Sequence, residues 1–216
     1  MFRAPFLAGD GFSLRTNGRA SVPLAATSGA LQFGNTAISA DGWCYGDRSL
    51  IVAPPGKLNF TGCAFHVFGL QPSGDGKPWM LALLDYTSVG KPVGQRIPML
   101  LMAHGKEWIL TSREYQITCE DLVRDAGTAV SRPRRMHLSA RSRGYVLEGD
   151  YFCDRLVSTS DVFEHFPGLL RAAVSVFLER PIIFRMVGHF EGTLVKPDGS
   201  VERLRLAGGG DYFTVR

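Results

Sequence analysis

Residues 182–206 read IIFRMVGHFEGTLVKPDGSVERLRL, and this stretch decides the fold class. In its first half the even positions are apolar or glycine, whereas the odd positions carry mostly polar or charged side chains. A period of two is typical of a β-strand that buries one face. Residues 196–200, KPDGS, carry the Pro-Asp-Gly signal of a tight turn, and residues 201–206 resume the alternation. The stretch therefore predicts an antiparallel hairpin.

The same rhythm of short apolar segments between Gly, Pro and Asp turns recurs through the chain. It predicts further strands at 58–70, 79–88, 97–103, 107–118, 134–141 and 144–156. Strands joined by short turns form an antiparallel meander, and an open sheet of about ten strands curls, splits or closes. We therefore predict one all-β domain over residues 1–216, built as an antiparallel barrel.

Two segments depart from this rhythm. Residues 161–179 predict a short helix, because Asp161 and Glu164 have the spacing of a capping box and apolar residues then follow helical spacing up to Pro181. Residues 1–35 are rich in Gly, Ala, Ser and Thr and are the least patterned part of the chain. We expect them to be irregular.

The composition favours a globular chain with a full core. The 216 residues are 45% hydrophobic and 20% charged, which argues against disorder. No two of the four cysteines have metal-type spacing, no apolar run reaches the length of a transmembrane helix, and the first residues lack a signal-peptide pattern. These observations predict a cytoplasmic protein with reduced thiols and no transmembrane segment.

The positive charge is concentrated in one stretch. The formal net charge is +4, and residues 132–143 contain five arginines and no acid. One interpretation is a solvated loop and strand face. The other is a dock at Arg132, Arg134 and Arg135 for an acidic carrier protein or a phosphorylated ligand. Nucleic acid is not expected, because aromatic side chains are not interleaved with these arginines.

Familiar catalytic motifs are absent from the sequence. It has no P-loop, no dinucleotide-binding glycine pattern, no nucleophile elbow and no HExxH motif. Five histidines are scattered along the chain, so we predict neither a metal site nor a cofactor. The run of residues 208–210, GGG, predicts a bulge or a turn.

Titratable residues at alternate positions of apolar strands are the more informative feature. Arg185 and His189 share one face of their strand, and Glu148 and Asp150 share one face of another. These faces either meet water, as one side of an antiparallel sheet usually does, or line a pocket. A carboxyl group inside an apolar cavity would have a raised pKa and could protonate an alkene.

The pair Asp85–Tyr86 follows the strongly apolar run of residues 79–84. Here too the side chains either meet water or line a pocket. A buried Asp beside a Tyr could act as a proton donor, whereas an Asp at a strand end is commonly a turn residue. Aromatic and polar residues of the other apolar segments complete the candidate substrate-binding set: Trp43, Tyr45, His66 and Trp79.

Residues 144–216 carry a pattern that is shared with a known family. The pattern comprises Glu179-Arg180-Pro181, Phe184-Arg185, Gly188, Glu191-Gly192-Thr193-Leu194, Asp198-Gly199 and the closing GGGDYF of residues 208–213. The segment resembles the C-terminal barrel of lipocalin-like (calycin) proteins related to carotenoid hydratases, tocopherol cyclase and decalin-forming Diels–Alderases. Family members typically carry two such barrels in a longer chain, and their Trp- and His-rich first-barrel motif has no counterpart here.

The resemblance implies a calycin barrel with a cavity for a polyene, terpenoid or polyketide chain. Folding a flexible substrate into its reactive shape lowers the barrier, and a few donors or acids then polarise it. We therefore predict a cofactor-independent cyclase or isomerase, with Glu148, Asp150, Asp85 and Tyr86 as proton donors and Arg185 as an orienting residue. The alternatives are a non-catalytic carrier of a hydrophobic ligand and a hydratase of similar substrates.

Overall fold

The computed structural model describes residues 15–39, 41–52, 60–70, 75–89, 94–161, 167–168 and 180–215, with the backbone alone for 15–27 and 43–52. The described residues form fifteen strands. Their bounds are β1 Arg15–Thr27, β2 Ala30–Phe33, β3 Thr36–Ser39, β4 Gly42–Val52, β5 Phe60–Leu70, β6 Pro78–Ser88, β7 Arg96–His104, β8 Glu107–Ser112, β9 Tyr115–Glu120, β10 Val123–Arg124, β11 Ser131–Arg132, β12 Arg135–Ser142, β13 Tyr145–Asp161, β14 Pro181–Val195 and β15 Val201–Val215.

Nine of these strands form one antiparallel sheet in the order β8-β7-β6-β5-β15-β14-β13-β12-β9. Its two edge strands, β8 and β9, are consecutive in the chain, so the sheet must curl until its edges approach each other. The Ser142 hydroxyl on β12 accordingly donates to the Thr111 carbonyl on β8, 3.5 Å away. The prediction of an all-β, antiparallel, barrel-type fold is confirmed, and the curled sheet is a half-barrel.

Side chains fill the concave side of the half-barrel, whereas the family resemblance implies a ligand cavity there. Inward-facing residues of all nine strands pack into one apolar cluster. Gly149 and Gly192 lie opposite each other on β13 and β14, and the Phe190 ring covers both. Glycine at these two positions therefore makes room for an aromatic ring and not for a ligand.

Tyr151 shows the same arrangement near the middle of the sheet. Its ring stacks on Phe65 with centroids 4.9 Å apart, and its hydroxyl lies over Gly188 and Gly210. The hydroxyl is shielded from water and has no hydrogen-bond partner among the described residues. Gly208–Gly210 lie within β15 and pair without a register shift on both sides, so the prediction of a bulge or a turn at this run is wrong. The backbone of β5 approaches Gly208 and Gly210 too closely for a side chain at either position.

A second apolar cluster covers part of the convex side. Its buried members are Met80, Ala82, Leu101 and Ala103, on β6 and β7. Phe68, Met99 and Trp108 pack against them, and β1 contacts β6. Strands β6 and β7 are therefore shielded on both faces, which explains why residues 79–84 are apolar at every position.

Strands β1, β2, β3 and β4 form an extended antiparallel arm. Strands β1 and β4 pair along their length, with Thr27 opposite Gly42, and β2 and β3 continue the arm as a short hairpin. The prediction that residues 1–35 are irregular is therefore wrong for 15–27 and 30–33, while residues 1–14 lie outside the described part. Backbone pairing forms these strands although their side chains lack a clear alternation.

The predicted helix at 161–179 lies almost wholly outside the described residues. Asp161 ends β13 and forms an ion pair with Arg180, and Gly168 has helical conformation. In the part of the chain that is described, no helical segment has the length and apolar character needed to cross a bilayer.

Candidate functional site

Asp85 and Tyr86 lie on opposite faces of β6, because consecutive residues of a strand point to opposite sides. The Asp85 side chain is on the concave side, where it is 8% exposed. Arg96 Nε donates to Asp85 Oδ1 at 2.9 Å, and the guanidinium also lies over the Tyr115 ring, 4.9 Å from its centroid. Asp85 therefore belongs to an ion pair that fastens β6, β7 and β9 together.

Two thiols lie beside this ion pair. Cys63 is opposite Asp85 in the β5–β6 register, and Cys119 approaches it from β9. A hydrogen bond from the Cys63 thiol to the Cys119 sulfur raises the pKa of Cys63, with burial as the second cause, and lowers the pKa of Cys119. Both cysteines are free. The polar groups at this end of the interior are therefore already paired with one another.

Trp79 is buried on the concave side near the other end of β6. Its ring stacks on His104 with centroids 4.2 Å apart and planes 7° from parallel. His104 Nε2 lies 3.2 Å from Asp75 Oδ1. Trp79 therefore packs the interior instead of lining a pocket.

Glu148 and Asp150 point outward, beside His137 of β12. Asp150 Oδ1 lies 3.1 Å from His137 Nδ1, and the Glu148 side chain is 62% exposed. The expectation that either acid enters an enclosed cavity is therefore wrong. The alternate residues Leu147 and Tyr151 take the concave side, which leaves the two acids facing water.

His189 lies in an open surface groove of about 850 Å³. Its Nδ1 is 2.8 Å from Asp154 Oδ2, its Nε2 is 3.6 Å from Glu191 Oε1, and its ring stacks on Phe152. The groove is lined by Asp121, Leu122, Val123, Arg134, Arg135, Phe152, Cys153, Asp154, His189 and Glu191. The imidazole is held between two carboxylates, which fixes its orientation.

The basic stretch is interleaved with acids in space, although not in sequence. Arg135 pairs with Glu120 and Asp121, and Arg132 donates to the Cys153 sulfur at 3.6 Å. Arg134 lines the groove beside Asp121. Docking of an acidic carrier protein at Arg132, Arg134 and Arg135 stays a prediction, with part of the positive charge compensated locally.

The sheet brings Arg185, His66 and Tyr86 together on its convex face, around Asp211. In the register, Asp211 of β15 lies between Arg185 of β14 and Ala64 of β5. His66 is two residues further along β5, and Tyr86 comes from the next strand, β6. We call Asp211, Arg185, His66 and Tyr86 the Asp211 cluster.

Partial burial sets the electrostatics of the Asp211 cluster. Burial raises the pKa of Asp211, while the nearby charges of Arg185 and His66 oppose this rise. Arg185 Nε is 3.9 Å from Asp211 Oδ1, longer than a hydrogen bond. Burial, and then the charge of Asp211, raise the pKa of Tyr86 well above its usual range. At neutral pH Tyr86 therefore offers a neutral hydroxyl donor beside a carboxyl group that favours its protonated form more than usual.

Aromatic rings border the cluster on one side. Tyr86 meets Phe213 edge to face with centroids 4.8 Å apart, and Phe60 stacks on Tyr86 at 6.1 Å. Gly62 lies opposite Tyr86 at φ 138°, and a Cβ there would come within 2.0 Å of the Asp85 carbonyl oxygen. The close approach of β5 and β6 thus requires glycine at this position.

Gly209 leaves a step in the surface on the other side of Asp211. It lies between His66 of β5 and Val187 of β14. A Cβ at Gly209 would contact no described atom closer than the Met186 carbonyl oxygen at 3.7 Å. A ligand atom could therefore approach the sheet backbone beside the Asp211 carboxyl group.

Three members of this cluster, Arg185, His66 and Tyr86, are among the site residues that the sequence predicts, whereas Asp211 and its neighbours Phe60, Phe213 and Gly209 are not. The predicted bulge or turn at residues 208–210 interrupts the strand before Asp211 and obscures its alternation with Gly209 and Phe213. An extended reading of β15 would have placed all three on one face. The last two candidates, Trp43 and Tyr45, lie in β4, and their side chains are outside the described part.

The Asp211 cluster places a half-buried carboxyl group and a neutral hydroxyl donor beside aromatic rings. Within the described residues, no group of three or more His, Cys, Asp and Glu side chains is arranged to hold a metal ion.

Among known proteins, no family model, no curated protein and no solved structure matches this chain.

Proposed function

We propose that this protein is a cofactor-independent cyclase or isomerase for a hydrophobic polyene, polyketide or terpenoid, with Asp211 as its proton donor. The observation that carries the proposal is the half-buried Asp211 carboxyl group, with a raised pKa, beside the aromatic rings of Tyr86 and Phe213. The lipocalin-like resemblance of residues 144–216 favours the same substrate class. We place the reaction in the cytoplasm.

The proposed reaction begins with transfer of the Asp211 proton to one carbon of a substrate double bond. The π electrons form the new C–H bond, and the neighbouring carbon becomes a cation. Aromatic faces stabilise such a cation in a poorly solvated site. A second double bond of the substrate can attack the cation to close a ring. Loss of a proton to the Asp211 carboxylate then gives a neutral product and restores the acid.

The other members of the Asp211 cluster have supporting roles in this proposal. Arg185 stabilises the Asp211 carboxylate that exists between the two proton transfers. Tyr86 can donate a hydrogen bond to a polar group of the substrate, since its raised pKa keeps the hydroxyl protonated. His66 adds positive charge when it is protonated, which also favours the carboxylate.

The packing of the half-barrel disfavours the carrier alternative in its usual form. A lipocalin-type carrier holds its ligand inside the barrel. In the described part of this chain, Phe65, Tyr151 and Phe190 fill the concave side. The convex face, with its open step at Gly209, is therefore the better candidate for a ligand surface.

The proposal is tested by deuterium incorporation, which detects alkene protonation whatever the final product. The full chain is incubated in D₂O with farnesol, geranylgeraniol or retinol, and the recovered compounds are analysed by mass spectrometry. We expect added deuterium with the wild type and a loss of at least about a hundredfold for Asp211→Asn, because general acid catalysis typically contributes this much. Gly209→Leu should fill the step and lower incorporation similarly.

Asp154→Asn is the matched control, because Asp154 is also an outward-facing strand acid but lies in the His189 groove. Its incorporation should equal that of the wild type. Equal loss in Asp154→Asn and Asp211→Asn would remove Asp211 from its role. Addition of the mass of water would indicate a hydratase. Binding of these compounds without any deuterium incorporation would indicate a carrier.

A further inference from the structure

The end of the β-arm presents an apolar face to solvent. Residues 28–39, which we call the arm tip, are all exposed. Leu31 is 53% exposed, Phe33 62% and Ile38 51%. Leu31 lies directly opposite Ile38 in the β2–β3 register, and Phe33 is two residues from Leu31 on the same strand. The three side chains therefore share one face of the hairpin.

Two polar side chains of the arm tip, Gln32 and Ser39, form local hydrogen bonds. The tip contains no charged residue. Gln32, on the opposite face, donates from Nε2 to the Gly34 carbonyl at 2.7 Å. The first charge below the tip is Asp41, which accepts from the Gly29 N–H at 3.3 Å and from the Ser39 hydroxyl at 2.7 Å. No charged group of residues 28–39 would lose hydration if this face left water.

The concentration of apolar side chains at one projecting tip is unusual within the described residues. The other large exposed apolar side chains lie in separate elements: Leu70, Leu122, Val157 and Val201. Apolar residues scattered singly are ordinary on protein surfaces, whereas a contiguous exposed cluster indicates a binding surface. The arm tip is such a cluster.

We propose that the arm tip docks the protein onto a lipid bilayer, with Leu31, Phe33 and Ile38 inserted at the boundary between head groups and acyl chains. Residues 28–39 carry no charge, so no charged group loses its hydration when the tip enters the bilayer interface. The net charge of +4 also attracts the chain to anionic head groups. This inference does not depend on the chemistry at Asp211.

The geometry of the arm tip limits how deeply it can insert. Each four-residue strand is about 13 Å long, roughly the depth of one leaflet's hydrocarbon. The outer backbone groups of β2 and β3 have no partner strand in the described sheet, and unpaired groups are costly in hydrocarbon. The hairpin should therefore lie in the interface with its apolar face towards the acyl chains and with Asp41 among the head groups.

Vesicle flotation with the full chain tests this inference. Vesicles of phosphatidylcholine with phosphatidylglycerol should bind the wild type, and vesicles of phosphatidylcholine alone should bind it more weakly. Leu31→Ser and Phe33→Ser should each weaken binding about tenfold, the loss expected when one large apolar side chain no longer inserts. Leu122→Ser is the matched control, because Leu122 is 61% exposed but lies far from the tip in sequence, in the groove.

A fluorescence measurement separates insertion from surface adsorption. In Phe33→Trp, bromine-labelled lipid should quench the added emission, beyond the quenching of the wild-type tryptophans. Equal vesicle binding by Leu31→Ser, Phe33→Ser and Leu122→Ser would overturn the inference, as would absence of binding to either vesicle. Self-association that depends on Leu31 and Phe33, without vesicle binding, would instead assign the tip to a second copy of the chain and overturn it too. Thermal unfolding of each variant checks that the fold is intact.

Discussion

The two faces of the nine-stranded sheet carry two Asp–Arg pairs that differ in how completely the acid is engaged. On the concave face, Asp85 receives a bond from Arg96 Nε at 2.9 Å and is nearly buried. On the convex face, the Arg185 Nε is 3.9 Å from Asp211, whose side chain is 40% exposed. The concave pair holds three strands together, whereas the convex Asp211 carboxyl group is partly exposed and within reach of a ligand. We therefore propose that the same residue types serve packing on one face and chemistry on the other.

The largest expected effect tests the concave packing. Phe190→Ala should lower the free energy of unfolding by about 3–5 kcal/mol, because a buried ring is removed and Gly149 and Gly192 cannot fill the space. Phe213→Ala on the convex face should cost less, because Phe213 is partly exposed. Urea unfolding of both variants measures the difference. Equal losses would mean that the convex face is packed as tightly as the concave one.

The second largest effect should distinguish the two ion pairs by how much each contributes to the free energy of unfolding. Arg96→Met should lower the free energy of unfolding by about 2 kcal/mol, because it leaves the nearly buried Asp85 carboxylate without its cation. Arg185→Met should change it by less than about 0.5 kcal/mol, because Arg185 is largely exposed. Chemical denaturation at neutral pH checks both values. A larger loss for Arg185→Met would contradict the contrast that we draw between the faces.

Tyr151→Phe should have a smaller effect of opposite sign. The Tyr151 hydroxyl is buried without a hydrogen-bond partner among the described residues, so its removal should stabilise the fold by about 1 kcal/mol. Calorimetry should show a higher Tm for this variant. A lower Tm would show that the hydroxyl has a partner, such as a buried water.

The smallest effect concerns the pH dependence of stability. Burial raises the pKa of Asp211 above its ordinary 3.8, so the folded protein holds this proton to a higher pH than the unfolded chain does. Stability should therefore fall as pH rises between these two pKa values. Asp211→Asn should remove this fall and be more stable at pH 7 by less than about 1 kcal/mol, because the exposed part of the carboxyl group is screened. Unfolding curves from pH 3 to 7 measure how stability falls with pH in the wild type and in the variant. The same dependence of stability on pH in both proteins would contradict the raised pKa of Asp211.

The fold class could be predicted from the sequence because each hairpin has local signals. Alternation in residues 182–195 and the turn at 196–200 define β14 and β15 without any long-range information. The apolar face of β14, which is its inward face, follows from the same alternation. The arm was missed because β1 is held by backbone pairing, which leaves no pattern in its side chains.

The candidate site was harder to predict, since its members come from four strands that are distant in sequence. Arg185, His66 and Tyr86 were selected for their residue types, and the contact among them depends on β15 pairing with β5. Glu148 and Asp150 share a face with Val146 and Phe152, so composition alone could not decide which face meets water. Asp211 was missed for a specific reason, the misassigned glycine run.

The pairing of β15 with β5 also has a consequence for how the chain is synthesised and folds. Asp211 lies beside Ala64 in the register. One half of the sheet is β5–β8 and the other is β9 with β12–β14, and they are joined by β15, the strand that leaves the ribosome after all the others in the sheet. Until then β5 remains an uncovered edge with a buried-type sequence, which is open to pairing with the wrong partner. The nascent chain should therefore depend on chaperones until β15 emerges, and a ribosome stalled before residue 201 should hold a protease-sensitive half-sheet.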